Sequence, residues 1–371
     1  MIIYFSILLL IFIFFYGFMF YPLTLLIFAR SKCGKLRGSI GSDINEEGVS
    51  VVISVKNEIS NICNKINDLF TLSQTVDSIE IIIVSDGSDD GTDKILKKYP
   101  SNFVRLIRSK VNNGKPVSIN SAISIARYST ILLTDARQLF DERVLIELLE
   151  ELKHNRVSCV SGQLFPKKSR EGVGVGVDLY WKIEKFIRKT ESDLYSSIGC
   201  TGAIYSLRSK SYYPIPFDTL LDDVIIPMKI LCNRELVKFR SEAHAFDFQT
   251  LNQTAETRRK TRTIGGNFQM LFRYPEFLLN RNSLLSFFYF SHKISRLVSP
   301  FALLAILGLL IYLIPNYFAK LSFILSLAIV LKCMSFVKFG LIAKFSGFLF
   351  LNLMVFRGLL YYLKGSYKKG W

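Results

Sequence analysis

Two aspartates stand where apolar runs of strand length stop. Asp86 closes the run in I-E-I-I-I-V-S-D-G-S-D-D-G-T, from Ile79 to Thr92, and Asp135 closes it in T-I-L-L-T-D-A-R, from Thr130 to Arg137. Near-continuous apolar runs are typical of buried parallel strands, and ligands bind beyond the carboxyl ends of such strands. A carboxylate there is suited to reading a polar ligand group, whereas a dinucleotide site would want small glycines against a pyrophosphate. Two further segments carry polar groups at comparable places. Gly48 to Glu58 (G-V-S-V-V-I-S-V-K-N-E) is an apolar strand ending in polar residues, and Asn112 to Asn120 (N-N-G-K-P-V-S-I-N) is a glycine-lysine turn opening a helix. Later come an acidic pair, Asp222-Asp223, and a basic run, Arg258 to Arg262.

The elements that must position these groups follow from the same runs. Three strands with helical connections, each ending in a polar or acidic residue, predict a doubly wound, Rossmann-like nucleotide-binding half over residues 48–165. Any one run alone would equally suit a strand with an acidic turn after it; four in order favour the ligand-binding reading. The G-V-G-V-G-V stretch, with Gly172, Gly174 and Gly176, lacks the G-x-G-x-x-G spacing and follows no clear strand. It is expected to be a flexible turn before a helix over Asp178 to Thr190.

The 371 residues are 50% hydrophobic, more than an ordinary soluble chain of this length. Met1 to Ala29 carries no charge and is long enough to span a bilayer. Nothing basic precedes it and no small-residue cleavage site follows, which favours an anchor over a signal peptide. Arg30, Lys32, Lys35 and Arg37 come next, and the positive-inside rule then places the following domain in the cytoplasm. Near the other end, Ser283 to Arg296 has the pattern of an interfacial helix, and Leu297 to Ala319 is long enough to span. Leu321 to Leu331 needs Lys320 and Lys332 to snorkel, and Phe345 to Leu363 is broken only by Arg357. The resulting division is an N-terminal transmembrane helix (1–30), a cytoplasmic domain (31–275, opening on a polar linker to residue 47), and an interfacial helix with two or three transmembrane helices (276–371). The six cysteines form no C-x-x-C pair, which argues against a zinc site or disulfide framework and suits a reducing compartment. The net charge of +17 accompanies no nucleic-acid module, so anionic lipid headgroups and a polyanionic ligand are the expected partners rather than nucleic acid.

In order and content these segments resemble the family 2 glycosyltransferases over roughly residues 48–270, and the apolar flanks resemble the cellulose, hyaluronan and poly-N-acetylglucosamine synthase-like branch. The resemblance implies a GT-A fold, an α/β nucleotide-sugar-binding domain flanked by transmembrane helices, in an integral membrane protein. It implies inverting transfer from a nucleotide-sugar, a UDP-sugar in the first instance, to a growing surface polysaccharide or lipid-linked glycan. A single transfer to a polyprenyl-phosphate lipid and an inactive membrane scaffold are the alternatives. Carried over residue by residue, Ser54, Lys56 and Glu58 match nucleoside contacts, Asp86 the acid that reads the base, and Lys115 a lysine near the nucleotide. Glu58 has a second reading, as a carboxylate at a helix N-terminus. Asp135 matches the first acid of a D-x-D that holds Mg²⁺ or Mn²⁺ on the diphosphate; here the second acid is Arg137, expected to contact phosphate or to point to solvent. Asp223 matches the general base that takes the acceptor proton, with Asp222 as a helix N-cap or acceptor-site acid. Arg259 and Arg262 fall at the Gln and Arg of Q-x-x-R-W and would face diphosphate or acceptor. Thr263 replaces the tryptophan, which weakens a processive reading.

Overall fold

A computed structural model describes residues 1–31, 48–166, 174–248, 253–336 and 340–365, so most of the expected linker and Gly172 lie outside the described residues. The chain divides into two compact units. One comprises Lys32–Lys167, Arg188–Thr250 and Gly365–Trp371, the other Met1–Ser31, Lys168–Ile187 and Leu251–Lys364.

The first unit is built on one mixed sheet. Its strands are β1 (Val49–Val55), β2 (Ile79–Asp86), β3 (Val104–Ser109), β4 (Thr130–Thr134), β5 (Leu139–Phe140), β6 (Val157–Pro166), β7 (Tyr205–Arg208) and β8 (Leu236–Asp247). They lie in the order β3-β2-β1-β4-β7-β6-β8-β5. β3, β2, β1 and β4 are mutually parallel, while β7 runs antiparallel to both β4 and β6. Every residue of β1 and β4 is buried, as their unbroken apolar runs require of strands covered on both faces. The helix Ile62–Leu72 turns Ile62, Lys65, Ile66, Leu69 and Leu72 inward, the i, i+3, i+4 spacing of one helical face. The chain leaves β1 toward β2 and β3 on one side and comes to β4 on the other. The carboxyl ends of β1 and β4 therefore flank the reversal of strand order, where open α/β sheets bind ligands. Ile53 pairs with Thr134, which brings Ser54 level with Asp135 across that reversal.

The second unit is helical. Among the described residues, Ile2–Arg30 (29 residues) and Ser283–Leu313 (31 residues) are long and apolar enough to cross a membrane. Each contains a single π-turn, Tyr16–Phe20 and Phe290–Ile294. Polar groups join the two there: Tyr16 Oη lies 3.0 Å from Ser291 Oγ, and Arg296 Nε donates to the Gly17 carbonyl at 3.3 Å. Ser299 Oγ lies 2.9 Å from both the Phe14 carbonyl and Asn352 Oδ1, adding the helix Gly340–Leu363 to the group. Within the same unit Glu184 is buried against His292 at 3.0 Å, Arg296 at 2.9 Å and Lys293 at 3.7 Å.

Three expectations change. The helix Gly174–Leu194 begins inside the alternating glycine-valine stretch, so Gly174 and Gly176 are helical rather than turn residues. Ser283–Arg296 is not a separate interfacial helix, because it continues without a break to Leu313. That helix ends at Leu313 rather than Ala319. Ile314 precedes Pro315, whose ring disfavours helical backbone in the residue before it, and Ile314 is extended (φ −78°, ψ 117°).

Candidate active site

The carboxyl edge of β1, β2 and β4 collects most of the sequence-predicted residues of the α/β unit. Its centre is Lys115, the first residue of the helix Lys115–Ser124. Lys115 Nζ donates to Asp135 Oδ1 at 2.9 Å and lies 3.4 Å from Asp222 Oδ2. Burial alone would lower the Lys115 pKa. The charges of Asp135, Asp222 and Asp223 outweigh burial and hold it above the ordinary lysine value, so the ammonium keeps its proton at neutral pH. Asp135 is the more open partner, its side chain 40% exposed against 12% for Asp222.

Asp86 is almost wholly buried and organises the loop that carries Lys115. Its Oδ1 accepts from Asn113 N at 2.8 Å and its Oδ2 from Gly114 N at 2.7 Å. With the Asn112 amide turned so that its nitrogen meets Asp86 Oδ2 at 2.9 Å, its oxygen accepts from Lys56 Nζ at 2.8 Å. Asp86 and Lys56 thus grip one loop from two strand ends. Gly87 makes the approach possible: it sits at φ +70°, and a Cβ there would come within 3.0 Å of Asn112 N.

A second pair of loops is latched nearby. Glu58 N donates to Thr92 Oγ1 at 3.0 Å, and Ile59 N to Asp90 Oδ2 at 3.0 Å. Asp90 also accepts from Thr92 N and Oγ1, and these hydrogen bonds hold its pKa below the ordinary value against a slight burial penalty. The Glu58 carboxylate accepts from Asn61 Nδ2 at 2.6 Å, just before the helix Ile62–Leu72. Ser54 Oγ is buried with no hydrogen-bond partner among the described residues. An unpaired buried hydroxyl costs about 1–3 kcal/mol, which a ligand group at this edge would relieve.

Two roles change from expectation. Asp222 is not an N-cap: it is the first residue of the helix Asp222–Cys232, behind Leu221, and its carboxylate turns to Lys115. Arg137 does not simply point to solvent. Its Nη2 donates to Asp247 Oδ2 at 2.7 Å, at the end of β8. Asp247 carries no motif and lies 110 residues further along the chain, so only the fold could reveal it.

Asp223, the second residue of its helix, is partly buried beside the segment Gly199 to Ala203. Its main-chain oxygen accepts from Cys200 N at 2.8 Å, and its Oδ2 lies 3.2 Å from where a Cβ on Gly202 would begin. Arg259 and Arg262 lie on the helix Gln253–Arg273 of the helical unit. Arg259 forms a two-point pair with Glu256 at 2.9 and 2.8 Å, and Thr263 Oγ1 bonds back to the Arg259 carbonyl.

The donor set for a divalent cation is thin. Asp135 is the acid that follows β4, its Oδ1 is engaged by Lys115, and Arg137 rather than a second acid stands two residues on. Among the described residues no group of three His, Cys, Asp or Glu side chains comes together as a metal site. The side chains present do not by themselves fit a resident cation, which would draw most of its oxygens from outside the protein.

Comparison with known proteins agrees with this geometry. Residues 50–213 match the family model described as Glycosyl transferase family 2. Poly-beta-1,6-N-acetyl-D-glucosamine synthase of Staphylococcus epidermidis is 24% identical over 193 residues, 50% of this chain and 46% of that protein. The enzyme of that name from Staphylococcus aureus strain COL is 22% identical over 239 residues, 61% of this chain and 56% of that one. The chain thus spans about half the length of the curated relatives it matches. Among solved structures, the mannosyltransferase PcManGT from Pyrobaculum calidifontis, in complex with GDP-Man and Mn²⁺, superposes with a TM-score of 0.72 at 16% identity. The match covers 96% of this chain and 98% of that one. At that identity it speaks to fold, and the fold is the expected GT-A class.

Proposed function

Since residues 50–213 match the family model described as Glycosyl transferase family 2, we propose that this protein is a membrane-associated inverting glycosyltransferase. It takes a sugar from a nucleotide-sugar, a UDP-sugar in the first instance, and extends a surface polysaccharide or lipid-linked glycan. The observation that carries the proposal is the Lys115 ammonium, fixed between Asp135 and Asp222 at the strand-order reversal. A diphosphate there meets a cation that is charged at working pH and already oriented, the kind of preorganised charge that stabilises a departing phosphate.

The remaining roles follow from placement. Ser54, Lys56 and Glu58 line the nucleoside side of the edge. Asp86 acts on the nucleotide through the loop that it shapes, since Asn113 N and Gly114 N already occupy both its oxygens. Asp223 is the base: its carboxylate lies against Gly202, and it takes the acceptor hydroxyl proton as that oxygen attacks the anomeric carbon. Asp222 keeps Lys115 in place, and Arg259 and Arg262 serve the diphosphate and acceptor. Were a divalent cation such as Mg²⁺ or Mn²⁺ to arrive with the diphosphate, Asp135 is the residue that would hold it, and the ion would supply charge neutralisation; the mannosyltransferase noted above was solved with Mn²⁺.

A second reading, single transfer to a polyprenyl-phosphate lipid, is favoured by Thr263 at the place of the acceptor-platform tryptophan. Labelled donor and membranes carrying the protein separate the two. A high-mass product supports polymer extension, an organic-extractable product supports the lipid acceptor, and no transfer from any nucleotide-sugar refutes both.

A further inference from the structure

The turn from Asp135 to Phe140, joining β4 to β5, is held by residues that have no part in the site described so far. Lys65 is completely buried. Its Nζ donates to the Gln138 carbonyl at 2.8 Å, lies 3.4 Å from Asp68 Oδ2, and sits 3.4 Å from the centre of the Phe140 ring. Both oxygens of Asp68 lie 3.2 Å from Phe140 N. From β8, Asp247 Oδ2 accepts from Arg137 Nη2 at 2.7 Å and from Gln138 Nε2 at 3.2 Å. The main chain of the turn is therefore fastened to the helix Ile62–Leu72, and its side chains to the end of β8.

Burying an ammonium is costly even after relaxation, and an apolar chain of the same length would pack without that cost. What an apolar chain would lack is a donor for the Gln138 carbonyl. That carbonyl lies three residues from Asp135, whose carboxylate must meet Lys115. Arg137 fits the same logic. A second free carboxylate is absent at that position, and the arginine there instead serves as an attachment point for Asp247.

We propose that Lys65 and Asp247 are positioning residues of the donor site, which together hold the Asp135–Phe140 turn so that Asp135 meets Lys115. This rests on the donor-site reading above. Neither residue touches donor or acceptor. Each acts through the turn, so its loss falls on donor binding rather than on the transfer step.

The test measures nucleotide-sugar binding and steady-state transfer with the full chain in detergent. It compares wild type, Lys65→Met, Asp247→Asn, Asp247→Arg and the exchange Arg137→Asp/Asp247→Arg, with Lys115→Met as the donor-site control. The proposal expects Lys65→Met and Asp247→Asn to weaken donor binding at least tenfold and raise donor KM to match, with kcat within about threefold of wild type. The exchange should recover most of the binding lost in Asp247→Arg alone. Donor binding within threefold of wild type in both single variants, with Lys115→Met impaired, overturns the proposal and leaves the donor site standing. A fall in kcat at unchanged donor KM also overturns it. If Lys65→Met does not fold, Asp247→Asn and the exchange decide by the same criteria. Failure of wild type to bind any nucleotide-sugar removes both this proposal and the reading beneath it.

Discussion

Asp223 accepts from Cys200 N at its main-chain carbonyl, and its carboxylate lies against Gly202. This gives a sharp contrast between two glycines three positions apart. A methyl on Gly202 would begin 3.2 Å from Asp223 Oδ2, so the carboxylate must shift by a few tenths of an ångström. A methyl on Gly199 would meet Val224 at an ordinary 3.5 Å. Gly202→Ala should lower kcat by about tenfold with donor affinity unchanged, because small misplacements of catalytic groups are costly. Gly199→Ala should stay close to wild type. Equal losses in the two variants would show that Asp223 is not the group being displaced. The cation allows a second residue-scale prediction. Asp135 offers one carboxylate, already engaged by Lys115, so Mn²⁺ alone should leave the unfolding temperature unchanged, and Mn²⁺ with UDP or GDP should raise it. A rise with Mn²⁺ alone would mean that a preformed site exists elsewhere in the chain.

At the scale of elements, much of the architecture can be read from the sequence because burial on both faces writes an unbroken apolar run. β1, β2 and β4 fall within Gly48–Glu58, Ile79–Thr92 and Thr130–Arg137, and the Asn112–Asn120 turn opens a helix. What fails locally is whatever a distant element decides. The sequence around Asp222 suits a cap, yet Lys115 from another helix claims its carboxylate, and Arg137 finds Asp247 only because β8 ends beside it. Lys65 looks like a surface lysine in N-K-I-N-D, and only the helix's inward face reveals it as buried. Its burial makes a testable statement about pH. Desolvation draws its pKa from 10.5 down to about 8, against the opposing pull of Asp68 and Asp135. Between those values the unfolded chain holds the proton and the folded chain has lost it, so stability rises with pH in that window. Thermal unfolding of wild type, measured relative to Lys65→Met, should improve from about pH 8 to about pH 10. A difference that is flat or falls over that range would contradict a desolvated amine.

For the whole molecule, the two long apolar helices, Ile2–Arg30 and Ser283–Leu313, are bound through Tyr16, Gly17, Ser291 and Arg296, so the N-terminal helix is an integral part of the helical unit. From the cationic cluster after Ala29 we propose that the N-terminus lies outside and the α/β unit in the cytoplasm, within reach of nucleotide-sugars. An impermeant thiol reagent applied to intact cells should therefore leave Cys63 and Cys232 unmodified until the membrane is opened. Labelling from outside would reverse the orientation. The proposed role of Asp223 as the base in sugar transfer can be tested with Asp223→Asn. The amide keeps the shape of the side chain but cannot take a proton at neutral pH. Nucleotide-sugar binding should stay within about threefold of wild type while single-turnover transfer falls by about 10²–10⁴-fold. Transfer at close to the wild-type rate in Asp223→Asn would mean that Asp223 is not the base.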